Sequence, residues 1–292
     1  MTCSRRFALE KLCAALTEGL RKELRLTPKP GLVDLLDSGS HRDLSFFRML
    51  ASVKMVGDFF REMASALCAG ESLPRLVAIG RDAERRLLAA FGGNTHKGGI
   101  FLGGLLLSAR ARCAGDSPEQ LRHAVRAVAS EFFAFHAPEG TNGERARREL
   151  GASGIRGECL AGLPALFDVA MPAYHQGKQL GFGHEKAALL VMSRLMQSVE
   201  DTTALHRCGE AGLARLQDDG RRLEAVLLQG DSPVPLLLHL NADYRRMNLT
   251  MGGVADLLGL TFATLDHLEA PSATLSRPVP AVLLAGRPPG AT

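Results

Sequence analysis

Tryptophan is absent from this chain of 292 residues, and tyrosine occurs only at Tyr174 and Tyr244. Proteins that bind single-stranded nucleic acid stack bases on such rings. With no platform and a net charge of only +4, nucleic acid is not expected as a partner. Isoleucine is scarce too (Ile79, Ile100 and Ile155), while leucine and alanine abound, a balance that favours helices over sheets. No run of about 18 apolar residues could cross a bilayer, so no membrane association is expected. The six cysteines include no C-x-x-C pair, which argues against a zinc knuckle or a disulfide framework and leaves free thiols. The opening Met1-Thr2-Cys3-Ser4-Arg5-Arg6-Phe7 runs into an amphipathic pattern rather than the apolar core of a secretory leader, so a cytoplasmic protein is expected. Neither a P-loop, nor G-x-G-x-x-G, nor H-E-x-x-H is present.

What the chain does have is helical periodicity. Leu9, Leu12, Leu16 and Leu20 recur at three- and four-residue steps, as do Phe46, Phe47, Leu50, Val53, Val56, Phe59, Phe60 and Met63. The same period predicts helices over 100–111, 119–136 and 185–199. The expected fold is all-α: a single multi-helix domain over residues 1–270, followed by a Pro/Ala/Gly-rich tail, 271–292, expected to be flexible. The apolar face from Phe46 to Phe60 could serve a homodimer as readily as a core. Polar, Gly-rich loops are expected at 28–43, 91–99, 140–158, 200–212 and 248–256, and function tends to reside in such loops. Gly230 to Pro235 reads as a connection between helices.

The most informative loop is Asn94-Thr95-His96-Lys97-Gly98-Gly99, which leads into a helical segment. A helix N-terminus offers unpaired N–H groups and a positive dipole end, and Lys97 adds a full charge, so a phosphate or carboxylate is its natural ligand. A Gly-rich turn with solvated side chains would read similarly. Other polar clusters follow at Lys29 to Asp34, Ser40 to Asp43, Arg156 to Glu158 and Asp201 to Arg207.

Taken in order, Lys29-Pro30-Gly31-Leu32-Val33-Asp34, Gly39-Ser40-His41-Arg42-Asp43, Asn94-Thr95-His96-Lys97-Gly98, Gly143-Glu144-Arg145, Arg156-Gly157-Glu158 and Gly252-Gly253-Val254-Ala255-Asp256-Leu257 resemble the motifs of triphosphoribosyl-dephospho-CoA synthases. The resemblance covers about residues 10–268. Thr203, Cys208, Met251 and Val254 depart from that family's pattern.

The resemblance implies an enzyme that transfers the 5-triphosphoribosyl group of ATP to the ribose 2'-hydroxyl of 3'-dephospho-CoA and releases adenine. The product would be the prosthetic-group precursor of malonate decarboxylase or citrate lyase, attached to the carrier protein by a separate transferase. A nucleoside-type N-ribosyl hydrolase and a non-catalytic binding module are the alternatives.

Such a transfer needs an acid for adenine, a base for the hydroxyl, and cations for the phosphates, with Mg²⁺ expected on the triphosphate. The resemblance then points to Asp34, Asp43, Glu158 and His96 as catalytic. It points to Lys29, Asn94, Thr95, His96, Lys97, Gly98, Arg156, Arg207, Gly252 and Gly253 as ligand-binding, and to Asp34, Asp201 and Asp256 as metal-binding. Lys29 and Arg156 could instead pair with Asp34 and Glu158 for structure alone, and the sequence does not sort the carboxylates by role.

Overall fold

The computed structural model describes residues 3–93, 95–113, 115, 117–135 and 153–269. Among these it holds eleven α-helices and no strand. They are α1 (Cys3–Arg25), α2 (Phe46–Ala69), α3 (Leu73–Phe91), α4 (Lys97–Arg112), α5 (Pro118–Phe135), α6 (Gly154–Leu160), α7 (Met171–Gln179), α8 (His184–Ser198), α9 (Thr202–Gln229), α10 (Val234–Met247) and α11 (Gly252–Glu269). A π-helical turn, Ala165–Ala170, leads into α7. The all-α expectation is borne out. Asn94, the Gly143-Glu144-Arg145 motif and the tail 271–292 lie outside the described residues. No helix among the described residues is long and apolar enough to cross a membrane.

The periodic stripes make the core except at the start of α2, where Phe47 is exposed and Phe46 and Leu50 are only partly buried. Leu9, Leu12, Leu16 and Leu20 of α1 are buried together with Val53, Val56, Phe59 and Phe60 of α2. Ser45 caps α2 by accepting the Arg48 N–H, and Gly70 closes it in the left-handed conformation that glycine adopts without steric cost. Helix α4 buries Ile100, Leu102, Leu105, Leu106 and Leu107 on all sides, as a helix surrounded by others must. It packs among α1, α2, α5 and α11. Helix α11 runs against α1 so closely that a Cβ on Gly19 would sit 2.3 Å from the Gly259 carbonyl oxygen. That contact draws the polar ends of both helices together.

Three expected loops turn out to hold helix starts: in 140–158, residues Gly154 to Glu158 belong to α6. Residues 202–212 form the start of α9, capped by Asp201 and kinked at Gly209, whose φ of 64° is open to glycine. Residues 252–256 form the first turn of α11. Polar residues and glycines concentrate at helix starts for capping, and there they imitate loop composition. The break at residues 230–233 does connect α9 to α10.

Candidate active site

The site grows from the start of α4. His96 is its N-cap residue, and its side chain makes no capping bond. The first turn of the helix therefore has no side-chain cap from its own N-cap residue. Thr95 and His96 are 8% and 5% exposed, and Thr95 Oγ1 and His96 Nε2 have no hydrogen-bond partner among the described residues. Buried polar atoms are nearly always bonded, so two orphans at one helix start mark a place for a ligand. The other imidazole nitrogen, Nδ1, lies 2.7 Å from Ser52 Oγ on α2. Burial, and then the charge of Lys29, push the His96 pKa down to about 4.

Behind this helix start lies an ion pair. The Lys29 ammonium is fully buried, donating to the Glu23 carboxylate and to the Glu23 carbonyl oxygen at 2.5 Å. Burial raises the Glu23 pKa, and Lys29 opposes that rise. The ammonium does not pair with Asp34, the partner the sequence offers. The Asp34 carboxylate instead accepts backbone N–H groups of Lys29 and Leu36 at 2.7 Å and of Asp37 at 3.3 Å, which holds the loop in shape.

Asp201, completely buried, joins two helix starts. It caps α9 by accepting N–H bonds from Thr203 (2.9 Å) and Ala204 (3.1 Å), and its second oxygen takes the Val254 N–H of α11 at 3.0 Å. Thr203 Oγ1 donates to Asp201 and accepts the Gly252 N–H at 2.8 Å. A Cβ on Gly253 would lie 3.1 Å from Asp201 Oδ2. Gly252 and Gly253 thus let the two helix starts close on one carboxylate. Thr203, a departure from the family pattern, is built into that junction.

One turn into α11, Asp256 faces Gly98 and Gly99 of α4 and receives the Gly99 N–H. Burial, then the negative neighbours Glu23 and Asp201, push its pKa up to about 8. At neutral pH it is mostly a carboxylic acid, able to give a proton. Its helix start, the cap of α4 and the Lys29–Glu23 pair form one polar cluster inside the helical core.

Loop 29–43 is fastened around this cluster. Arg207 of α9 donates to the Ser40 carbonyl oxygen at 2.8 Å and to Asn248 Oδ1 at 3.2 Å. His41 Nε2 lies 3.0 Å from Thr250 Oγ1, which donates to the Gly31 carbonyl oxygen at 2.9 Å. Asn241 accepts the Gly31 N–H at 3.0 Å and donates to Asp37 at 2.9 Å. Arg207 therefore holds backbone here. Cys208 has no positive φ, and Gly209 takes the kink.

Of the residues expected from sequence, Lys29, Asp34, Thr95, His96, Gly98, Asp201, Gly252, Gly253 and Asp256 gather around this cluster. Four others lie apart from it. Lys97 is exposed and 3.6 Å from Glu84 of α3. Asp43 is exposed, its carboxylate facing Gly93. The Arg156 guanidinium lies over the Phe133 ring, 5.2 Å from its centre, and does not pair with Glu158. Glu158 accepts the Ala165 N–H at 2.6 Å, and burial raises its pKa. Beside it Arg122 clamps Asp168 with two bonds of 2.6 Å.

The expected metal set does not form a cage. Asp34 and Asp201 each commit both oxygens to backbone N–H groups. No group of three or more His, Cys, Asp or Glu among the described residues is arranged to hold a metal ion.

Glu23 and Ser52 are the residues that sequence reasoning overlooked. Each sits on the apolar stripe of its helix, Glu23 in step with Leu16 and Leu20, Ser52 in step with Val56 and Phe59. A polar side chain at a core position was the available signal.

The sequence model of a family described as CitG, ATP:dephospho-CoA triphosphoribosyl transferase, matches residues 9–274. A protein of Azotobacter vinelandii named probable 2-(5''-triphosphoribosyl)-3'-dephosphocoenzyme-A synthase is 36% identical over 259 residues, 85% of this chain and 87% of its own. The synonymous protein of Pectobacterium atrosepticum, named without the qualifier, is 33% identical over 272 residues, 88% of this chain and 89% of its own. A third, from Pseudomonas fluorescens, is 34% identical over 274 residues, 89% and 92% of the two chains. No solved structure matches the chain.

Proposed function

The chain belongs to the ATP:dephospho-CoA triphosphoribosyl transferase family, and on that premise we propose that it moves the 5-triphosphoribosyl group of ATP onto the ribose 2'-hydroxyl of 3'-dephospho-CoA and releases adenine. The observation that carries this reading is the start of α4, where Thr95 Oγ1 and His96 Nε2 are buried with no partner among the described residues and the Asp256 carboxyl packs against Gly98 and Gly99.

The chemistry asks for that combination. Breaking the bond between C1' and adenine leaves positive charge on the ribose and negative charge on the base. A carboxylic acid relieves the second by protonating adenine as it departs, and Asp256 fills that role. The carboxylates of Glu23 and Asp201 lend negative potential beside the ribose. Thr95 Oγ1 and the N–H groups at the α4 start other than that of Gly99, which Asp256 takes, hold the triphosphate, whose anhydride bonds stay intact. Acid and base act on opposite faces of the sugar, as in inverting glycosidases.

The donor in this reading is MgATP. Asp34 and Asp201 are committed to backbone N–H groups, so these two carboxylates are not free to hold the ion. Lys29 keeps the site's charge balanced from behind.

The reading extends to the product's destination. Asp201-Thr202-Thr203-Ala204-Leu205-His206-Arg207 favours the malonate decarboxylase branch over citrate lyase, and a separate transferase would load the carrier protein. Buried free thiols at Cys13 and Cys159 suit a reducing cytoplasm.

The test is adenine release from MgATP with and without 3'-dephospho-CoA. The transfer reading requires release only when both are present. Release from ATP alone would make the protein a hydrolase. ATP binding without any turnover would make it a binding module, and ADP formation would mean phosphoryl transfer; each would overturn the reading.

A further inference from the structure

His96 has one nitrogen bonded and one bare, and its partner decides which carries the proton. Ser52 Oγ lies 2.8 Å from the Met49 carbonyl oxygen and 2.7 Å from His96 Nδ1. A serine hydroxyl has a single proton, and a carbonyl oxygen can only accept. The arrangement that makes hydrogen bonds of both contacts has Ser52 donating to the Met49 carbonyl oxygen and accepting from an Nδ1–H. That tautomer leaves Nε2 without a proton, as a buried lone pair with no partner among the described residues. A lone pair repels phosphate oxygens, so Nε2 does not suit the triphosphate-holding role that the sequence suggests for His96. It suits a hydroxyl, which can donate to it.

We infer that His96 Nε2 is the proton acceptor for the incoming ribose hydroxyl, and that Ser52 is the positioning residue that fixes the imidazole in the tautomer this requires. The identity of that hydroxyl rests on the transfer reading.

The surroundings support the assignment. Lys29 and burial both keep the ring neutral, so it stands ready to accept at neutral pH. Gly98 and Gly99 separate His96 from Asp256, placing a bare base and a protonated acid at one helix start. In the step, the 2'-oxygen bonds to C1' and its proton passes to His96 Nε2. The electrons of the C1'–N bond leave with adenine, which takes the Asp256 proton. Return of the His96 proton to Asp256 restores the site, and atoms and charge balance.

Two-bond proton–nitrogen correlation on ¹⁵N-histidine-labelled protein reads the tautomer directly, with His96 assigned by loss of its signal in H96N. The expected result is a protonated Nδ1 and a bare Nε2, with Ser52→Ala allowing the other tautomer to appear. In kinetics, Ser52→Ala lowers kcat about tenfold or more while KM for ATP stays within twofold, and His96→Gly loses about 10²–10⁴-fold with partial rescue by imidazole. A protonated Nε2 in the unaltered protein, or an unchanged kcat in Ser52→Ala, overturns the inference. The correlation on the unaltered protein needs no turnover, so it stands even if Ser52→Ala or His96→Gly fails to fold. A bare Nε2 in a protein whose adenine release ignores dephospho-CoA would sink the transfer reading and with it the hydroxyl assignment. A reversed tautomer with intact transfer would sink only the proton-acceptor role of His96.

Discussion

A methyl group on Gly98 would lie 1.8 Å from Asp256 Oδ2, closer than any two unbonded heavy atoms can stand. The start of α4 and the first turn of α11 thus meet at a point where one has no side chain and the other has its reactive group. Gly98→Ala must displace Asp256. The expected outcome is a loss of about 1–3 kcal/mol in denaturant unfolding and at least a tenfold fall in kcat. Gly80→Ala makes the contrast: mid-way along α3, a Cβ there meets nothing within 4 Å. That substitution should raise stability by about 0.5–1 kcal/mol and leave transfer unaffected.

Asp256 also gives stability a pH dependence of definite sign. Its pKa rises from 3.8 to about 8 on folding, because burial, Glu23 and Asp201 disfavour the charged form. The folded chain therefore keeps a proton that the unfolded chain releases. The contribution is fully present below pH 3.8 and is lost as the pH climbs through about 8. Urea unfolding from about pH 5 to about pH 9 should show stability falling in the wild type and falling less steeply in Asp256→Asn. Some slope will remain, because the Glu23 pKa is raised in the same direction. Transfer rates should decline above about pH 8 as the acid form disappears.

The Lys29–Glu23 pair is buried on both sides, with side-chain exposures of 0% and 8%. Lys29→Met leaves a carboxylate in the core without its cation and should cost about 3–5 kcal/mol. Adding Glu23→Leu should recover much of that loss. A double-mutant cycle by chemical denaturation checks both statements, and equal losses for single and double variants would contradict them.

Thr95 Oγ1 has no partner in the free protein among the described residues. Thr95→Val keeps the shape and removes the hydroxyl, so it should leave the melting temperature within about 2 °C, since no bond is lost. Tripolyphosphate, the donor's anionic part, should bind at least about tenfold more weakly, as calorimetry would show, because hydrogen bonds to charged groups contribute about 1.5–3 kcal/mol.

Much of this architecture was legible beforehand, and the reasons are specific. The leucine stripe of α1 and the phenylalanine stripe of α2 announce their helices because burial demands a period of about 3.6 residues. Lys29, His96, Asp201 and Asp256 stand in motifs whose composition is odd for a turn. Their partners were hidden by context. Glu23 and Ser52 sit within helices that read as ordinary amphipathic or apolar segments, and only the fold reveals that they face Lys29 and His96. The starts of α9 and α11 read as loops because capping residues and glycines serve both. Arg156 and Glu158 matched a motif, yet side-chain direction in α6 turns one onto Phe133 and the other onto Ala165.

The most direct test is the mass of the product made from ATP labelled in the ribose and the γ-phosphate, in the presence of 3'-dephospho-CoA. The transfer account predicts one new dephospho-CoA species carrying both labels, heavier by an intact triphosphoribosyl group, formed in step with unlabelled free adenine. Label released as free ribose triphosphate, a γ-label parted from the ribose label, or unchanged dephospho-CoA after adenine has appeared would contradict it.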